Sequence, residues 1–131
     1  MVTLAQIAAI FTAERAVFAR PFPAVADVQL LIITEHYKPN RSRRDVAWYD
    51  SRDRSIYLVS NALRERSAAC LTGVLRHELG HAADPRLDAP GCERRADRIA
   101  QVATGQPILY TQEGIQHSTH GIPYRPDWLH Q

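Results

Sequence analysis

The sequence predicts one α+β domain across residues 1–131: a small mixed or antiparallel sheet, an N-terminal helix, and two later helices that lie together. Three observations predict it. Apolar residues from Leu4 to Phe18 recur at helical spacing. Three short runs rich in branched and aromatic residues follow, two of them separated by a brief polar turn. Two further helical segments then close the patterned part, and the first of them carries His77-Glu78-Leu79-Gly80-His81.

Taking the elements in order, Thr3 and Gln6 have the spacing of a capping box, which starts a helix that runs to about Ala19. Leu4, Ile7, Ala8, Phe11 and Phe18 trace its apolar stripe, with Arg15 as the polar exception, and Pro21 and Pro23 stop it. Residues 28–34 form a nearly continuous apolar run and read as a buried strand. After a polar loop, 36–44, residues 46–49 and 55–60 read as two strands of a hairpin around the turn 50–54. Asn61 is placed to cap a short helical turn. A helix from about Ser67 to Ala83 follows, ended by Pro85. Asp88-Ala-Pro-Gly91 is a cap-and-proline signal for a second helix, 92–103, closed by Gly105 and Pro107. Residues 106–131 read as an irregular tail rich in Pro, Gly, His and Tyr.

Composition narrows the function. A formal net charge of +2 implies neither a strong nucleic-acid field nor a disordered chain. Arg41, Arg43 and Arg44 make the one tight basic cluster and read as a solvated turn. The N-terminus lacks a basic leader, and no run approaches the roughly 20 apolar residues of a membrane helix. Cys70 and Cys92 make no disulfide framework and read as buried or half-buried thiols. The expectation is a reduced, cytoplasmic protein without a membrane or nucleic-acid partner.

The chemistry concentrates in His77 to His81. A helix turns about 100° per residue, so histidines four apart stand on one face and can chelate one metal ion. Glu78 is rotated off that stripe and is free to hold a water at the open coordination position. Ala68, Leu71, Leu75, Leu79 and Ala82 form an apolar stripe roughly opposite, so the helix has a core face and a histidine face.

Zinc sites of this type need a third protein ligand. Asp84 continues the histidine stripe, but its arm is short and it sits almost a turn beyond the pair. In the pattern HExxHxxGxxH/D, Asp84 would fill the glycine position and Leu87 the ligand position, so that pattern fails. Asp88 lies only near that ligand position. Glu93 is the best candidate, because it opens a helix that can fold back on the first and has a long arm. Asp97, four residues on, can accept from the free ring nitrogen of a ligand histidine. Gly73 and Gly80 on one helix, with Ala96, Ala100 and Ala103 on the other, permit close approach. Cys70, about two turns before His77, is too far to share the ion.

His77-Glu-Leu-Gly-His81 followed by Glu93-Arg-Arg-Ala-Asp97-Arg-Ile-Ala100 resembles the HExxH-then-ExxxD arrangement of gluzincin-type zinc metallopeptidases. The likeness is to the minimal gluzincins and the ImmA/IrrE family, and covers about Leu71 to Ala103. It implies a zincin-like core, Zn2+ held by His77, His81 and Glu93, Glu78 as catalytic base, and Asp97 behind a ligand histidine. The expected reaction is hydrolysis of a peptide bond in a protein or peptide substrate. Glu78 takes a proton from water and passes it to the leaving amine. A donor for the developing oxyanion must come from elsewhere, and the tail offers Tyr110, His117, His120 and Tyr124. The alternative is a catalytically silent zinc-binding regulatory or interaction module, in a phage or toxin setting or otherwise. A DNA-associated protein is the remaining rival, which the small net charge disfavours.

Overall fold

Thr3 opens the first helix as the sequence predicts. In the computed structural model, which describes residues 1–34, 46–86 and 90–106, its hydroxyl accepts from the Gln6 N–H at 3.1 Å. The Gln6 side chain accepts from the Thr3 N–H at 2.8 Å, completing a capping box for α1 (Leu4–Ala19). Ile7, Phe11 and Phe18 are buried; Leu4, assigned to the same stripe, is 64% exposed. Arg15 is accommodated by lying over the Phe11 ring, 5.2 Å from its centroid, and donating to the Val28 carbonyl at 2.8 Å. A 3₁₀ turn, Pro23–Asp27, leads into the sheet.

The sheet is mixed and three-stranded, in the order β1 (Gln29–Ile33), β3 (Ser55–Val59), β2 (Ala47–Asp50). β1 runs parallel to β3 with Gln29 opposite Ser55, and β2 runs antiparallel to it with Tyr49 opposite Ile56. The expectation of burial for the 28–34 run is corrected here. Among the described residues β1 pairs on one side only, with Leu31 37% exposed and Leu30, Ile32 and Ile33 half-buried. The buried strand is the central one, β3, with Ile56 and Leu58 fully enclosed. The hairpin turn is closed by Asp50, which accepts from the Arg52 backbone N–H at 2.9 Å.

Asn61 precedes a single helical turn, α2 (Ala62–Glu65), but its side chain does not cap it. Its carbonyl oxygen instead accepts from Arg64 at 2.8 Å, because Asn61 itself already has helical backbone angles. α3 (Ala68–Ala83) begins at Ser67, whose hydroxyl accepts from the Cys70 N–H at 3.1 Å, and ends at Asp84 in extended conformation ahead of Pro85. α4 (Cys92–Thr104) is bracketed by Gly91 at φ 83° and Gly105 at φ 69°. Only glycine adopts those angles without strain, so the start of α4 is set by Gly91 rather than by a side-chain cap.

Leu71, Leu75 and Leu79 of α3 meet Ile7, Phe11 and Phe18 of α1, Ile56 and Leu58 of β3, and Ala100 of α4 in one core. Each large side chain enclosed there contributes about 1.5–3 kcal/mol from apolar burial. The opposite side of α3 is also covered, by α4 and β2. A half-buried bidentate pair, Arg76 with Glu14 at 2.9 and 3.0 Å, ties α3 to α1 beside the histidine motif. Among the described residues no helix is long and apolar enough to cross a membrane. Arg41, Arg43, Arg44, Leu87, Asp88, Tyr110, His117, His120 and Tyr124 lie outside the described residues.

Candidate metal centre

The core stripe of α3 turns its other side toward α4, and this carries His77 and His81 into the gap between the two helices. Both are nearly enclosed, at 6% and 7% exposure. The gap is narrow because of Gly80. A Cβ built there would overlap the Ala96 carbonyl of α4, so only glycine allows this crossing distance. That contact accounts for a glycine in mid-helix, which otherwise costs about 1 kcal/mol relative to alanine.

Close approach brings Glu93, in the first turn of α4, over the histidine pair. Its carboxylate lies 2.8 Å from His77 Nε2 and 3.1 Å from His81 Nε2, and the two ring nitrogens are 3.1 Å apart. Ligand atoms held about 2.0–2.1 Å from a tetrahedral ion stand roughly 3.3 Å from one another. The triangle formed by His77, His81 and Glu93 is within a few tenths of an ångström of that size, and its donor set is one that could hold a metal ion. Glu93 is half-exposed, so the triangle has one side toward solvent.

Asp97 is fully buried one turn along α4, and its Oδ1 is 2.6 Å from His77 Nδ1. This bond fixes the ring so that Nε2 faces Glu93 and His81. Burial of His77 opposes its charging, but the hydrogen bonds to Asp97 and Glu93 outweigh it and raise its pKa to about 10. The same contacts, from His77 first and then His81, hold the Glu93 carboxyl well below its ordinary range. Without a metal, the His77 imidazolium therefore donates from Nδ1 to Asp97 and from Nε2 to Glu93. His81 Nδ1 is buried and has no hydrogen-bond partner among the described residues, so its ring lacks the support that His77 receives.

Glu78 is buried between α3 and β2, at 7% exposure. Burial pushes its carboxyl up, against the pull of His77 and His81. Its carboxylate accepts from the Tyr49 backbone N–H. The ladder explains why that N–H is available. Val59 donates to Val46 at 2.9 Å, so in antiparallel alternation the inward-facing residues of β2 are 46, 48 and 50. The amides of Ala47 and Tyr49 point to the edge of β2 away from β3.

Of the acids weighed from sequence, Glu93 joins the histidines and Asp84 does not. Asp84 is buried at the end of α3, where Oδ2 accepts from Arg95 Nε at 2.9 Å and Oδ1 from the Arg86 N–H at 2.8 Å. Cys70 is buried and Cys92 half-buried, and neither belongs to the cluster. Two contributors escaped the sequence reading. The Tyr49 amide is a main-chain group with no residue signature, and in sequence nothing separates Arg95 from its neighbours Arg94 and Arg98. The pairing of Arg95 with an aspartate just across the connection between the helices was the available signal for it.

No family model, no curated protein and no solved structure matches this chain.

Proposed function

We propose that the protein is a zinc-dependent peptidase of the gluzincin type, with His77, His81 and Glu93 as the ligands. The observation that carries the reading is the convergence of two imidazole nitrogens and one carboxylate within about 3 Å, with a buried carboxylate on the next residue of the same helix. When bound, zinc supplies positive charge that acidifies water and polarises a carbonyl.

The chain's own groups do the rest. Asp97 orients His77 and keeps its Nε2 toward His81 and Glu93, the residues that would hold the ion with it. Glu78, anchored by the Tyr49 amide, takes the proton of the attacking water and delivers it to the leaving nitrogen. A peptide is favoured over other hydrolysable substrates because, beside Glu78, β2 turns the backbone of Ala47 away from β3. An extended peptide can hydrogen-bond to a strand turned this way through its backbone.

The test is direct. Purified protein is assayed for bound zinc and for cleavage of a broad peptide library, alongside Glu78→Gln. Retained zinc with cleavage abolished in the variant supports the peptidase. Zinc bound stoichiometrically with no cleavage by the wild type leaves a silent zinc-binding module as the correct reading.

A further inference from the structure

Glu93 is the least protected member of the triangle. It is half-exposed, it sits in the first turn of α4, and that turn has no side-chain N-cap, since Gly91 occupies the cap position. A ligand in such a place needs another anchor. Arg95, two residues further on, makes contacts that would serve. Its Nε donates to Asp84 Oδ2 at 2.9 Å, its Nη1 to the Pro90 carbonyl at 2.7 Å, and its Nη2 to the Arg86 carbonyl at 2.6 Å. The aspartate is buried and the arginine nearly so, at 1% and 18% side-chain exposure. One guanidinium thus joins the residue that follows the histidine helix, the chain after it, and the chain just before α4. A planar fork with five donors can hold three acceptors at fixed angles; a lysine cannot.

We propose that Arg95, through its ion pair with Asp84, is the positioning residue that keeps Glu93 in register with His77 and His81, and so sets the affinity of the centre for a divalent cation. The proposal rests on reading the triangle as a metal site. It also gives the acid at 84 a task. Asp84 stands just past the end of α3, three residues after His81, and its carboxylate is taken up by Arg95.

Zinc affinity, measured by competition with a chromophoric chelator, tests this in the full chain, with far-UV circular dichroism recorded on the same samples. Arg95→Gln and Asp84→Asn are each expected to weaken zinc about tenfold or more, the lower end of what residues that hold ligands contribute. The double variant is expected to be no weaker than the worse single one, because the two act as a unit. Arg95→Lys, which restores charge but not the fork, is expected to recover part of the affinity, and it keeps the test open if Arg95→Gln does not fold. Hydrogen exchange on the metal-free protein is expected to show faster exchange across residues 92–97 in Asp84→Asn. Unchanged affinity in folded variants, or additive losses, would overturn the role of the pair while leaving the metal site intact. Failure of the folded wild type to bind zinc at all would overturn the metal site, and this proposal with it.

Discussion

The amide of Tyr49 meets the carboxylate of Glu78 at the edge of β2 away from β3, so one hydrogen bond joins the sheet to the residue proposed as base. This bond favours the ionised carboxylate in a place where burial disfavours it. Glu78→Gln keeps the volume and can still accept from Tyr49, but it cannot take a proton. Peptide cleavage is expected to fall by at least about 10²-fold, the lower range for loss of a general base, with zinc content unchanged. In chelator-treated protein the Glu78 carboxyl is expected to titrate above the ordinary glutamate value of 4.5, read by infrared difference spectroscopy across pH.

Removing Asp97's charge should be visible as a proton. His77 in the metal-free protein has a pKa of about 10, so it is protonated at pH 8 and must lose that proton to bind zinc. Calorimetry of zinc binding in buffers of different ionisation enthalpy is expected to report release of close to one proton at pH 8. Asp97→Asn lowers the His77 pKa, so the release shrinks, and zinc is expected to bind about 10–100-fold more weakly.

The same shifts define a stability window for the metal-free protein. The raised His77 pKa contributes stability that is full below pH 6.5 and lost as pH rises through about 10. The lowered Glu93 value contributes stability that is full above pH 4.5 and lost as pH falls below it. Urea midpoints of chelator-treated protein are expected to be highest between about pH 4.5 and 6.5 and to decline toward alkaline pH, with the alkaline decline flattened in Asp97→Asn.

Gly80→Ala places a methyl group against the Ala96 carbonyl, and both partners are backbone. Neither helix can yield locally, so α4 must move as a body. A loss of about 1–3 kcal/mol is expected in denaturant melts, together with weakened zinc binding. Gly105→Ala is the comparison. Its φ of 69° makes it strained, but nothing lies within 4 Å of the added carbon. About 1 kcal/mol is expected there, with zinc affinity unchanged.

Zinc at a hundred times its dissociation constant is expected to stabilise the wild type by about 2.7 kcal/mol, as any ligand of the folded state alone would. The shift in thermal midpoint should vanish in His81→Ala and in Glu93→Ala, and should persist in Asp88→Ala.

Much of the centre was legible because it is helical. Periodicity places His77 and His81 on one face, and Thr3, Ser67, Gly91 and Gly105 mark helix ends in their side chains or their lack of one. The α+β class and the β2–β3 hairpin follow from the runs of branched residues, but those runs leave the sheet mixed or antiparallel, and the parallel pairing of β1 with β3 decides it. What escaped depends on which elements become neighbours. The apolar run of β1 resembles a central strand, yet β3 takes the centre because both other strands pair with it. Asn61 has the chemistry of a cap but already helical backbone angles, so its side chain turns to Arg64. Asp84 could be demoted by reach alone, but not assigned, because its partner Arg95 arrives from another helix.

The contacts also differ in how far along the chain they must reach. The parallel ladder forms only when Gln29 finds Ser55, and the Arg76–Glu14 pair spans 62 residues. Glu93 finds His77 across 16 residues, within one helical hairpin. Closing a short loop costs less chain entropy than closing a long one, and near-neighbour contacts form early in folding. An ion gripped by that hairpin would act as a clasp between α3 and α4, adding its binding energy to a pairing that needs a shorter loop than the parallel ladder does.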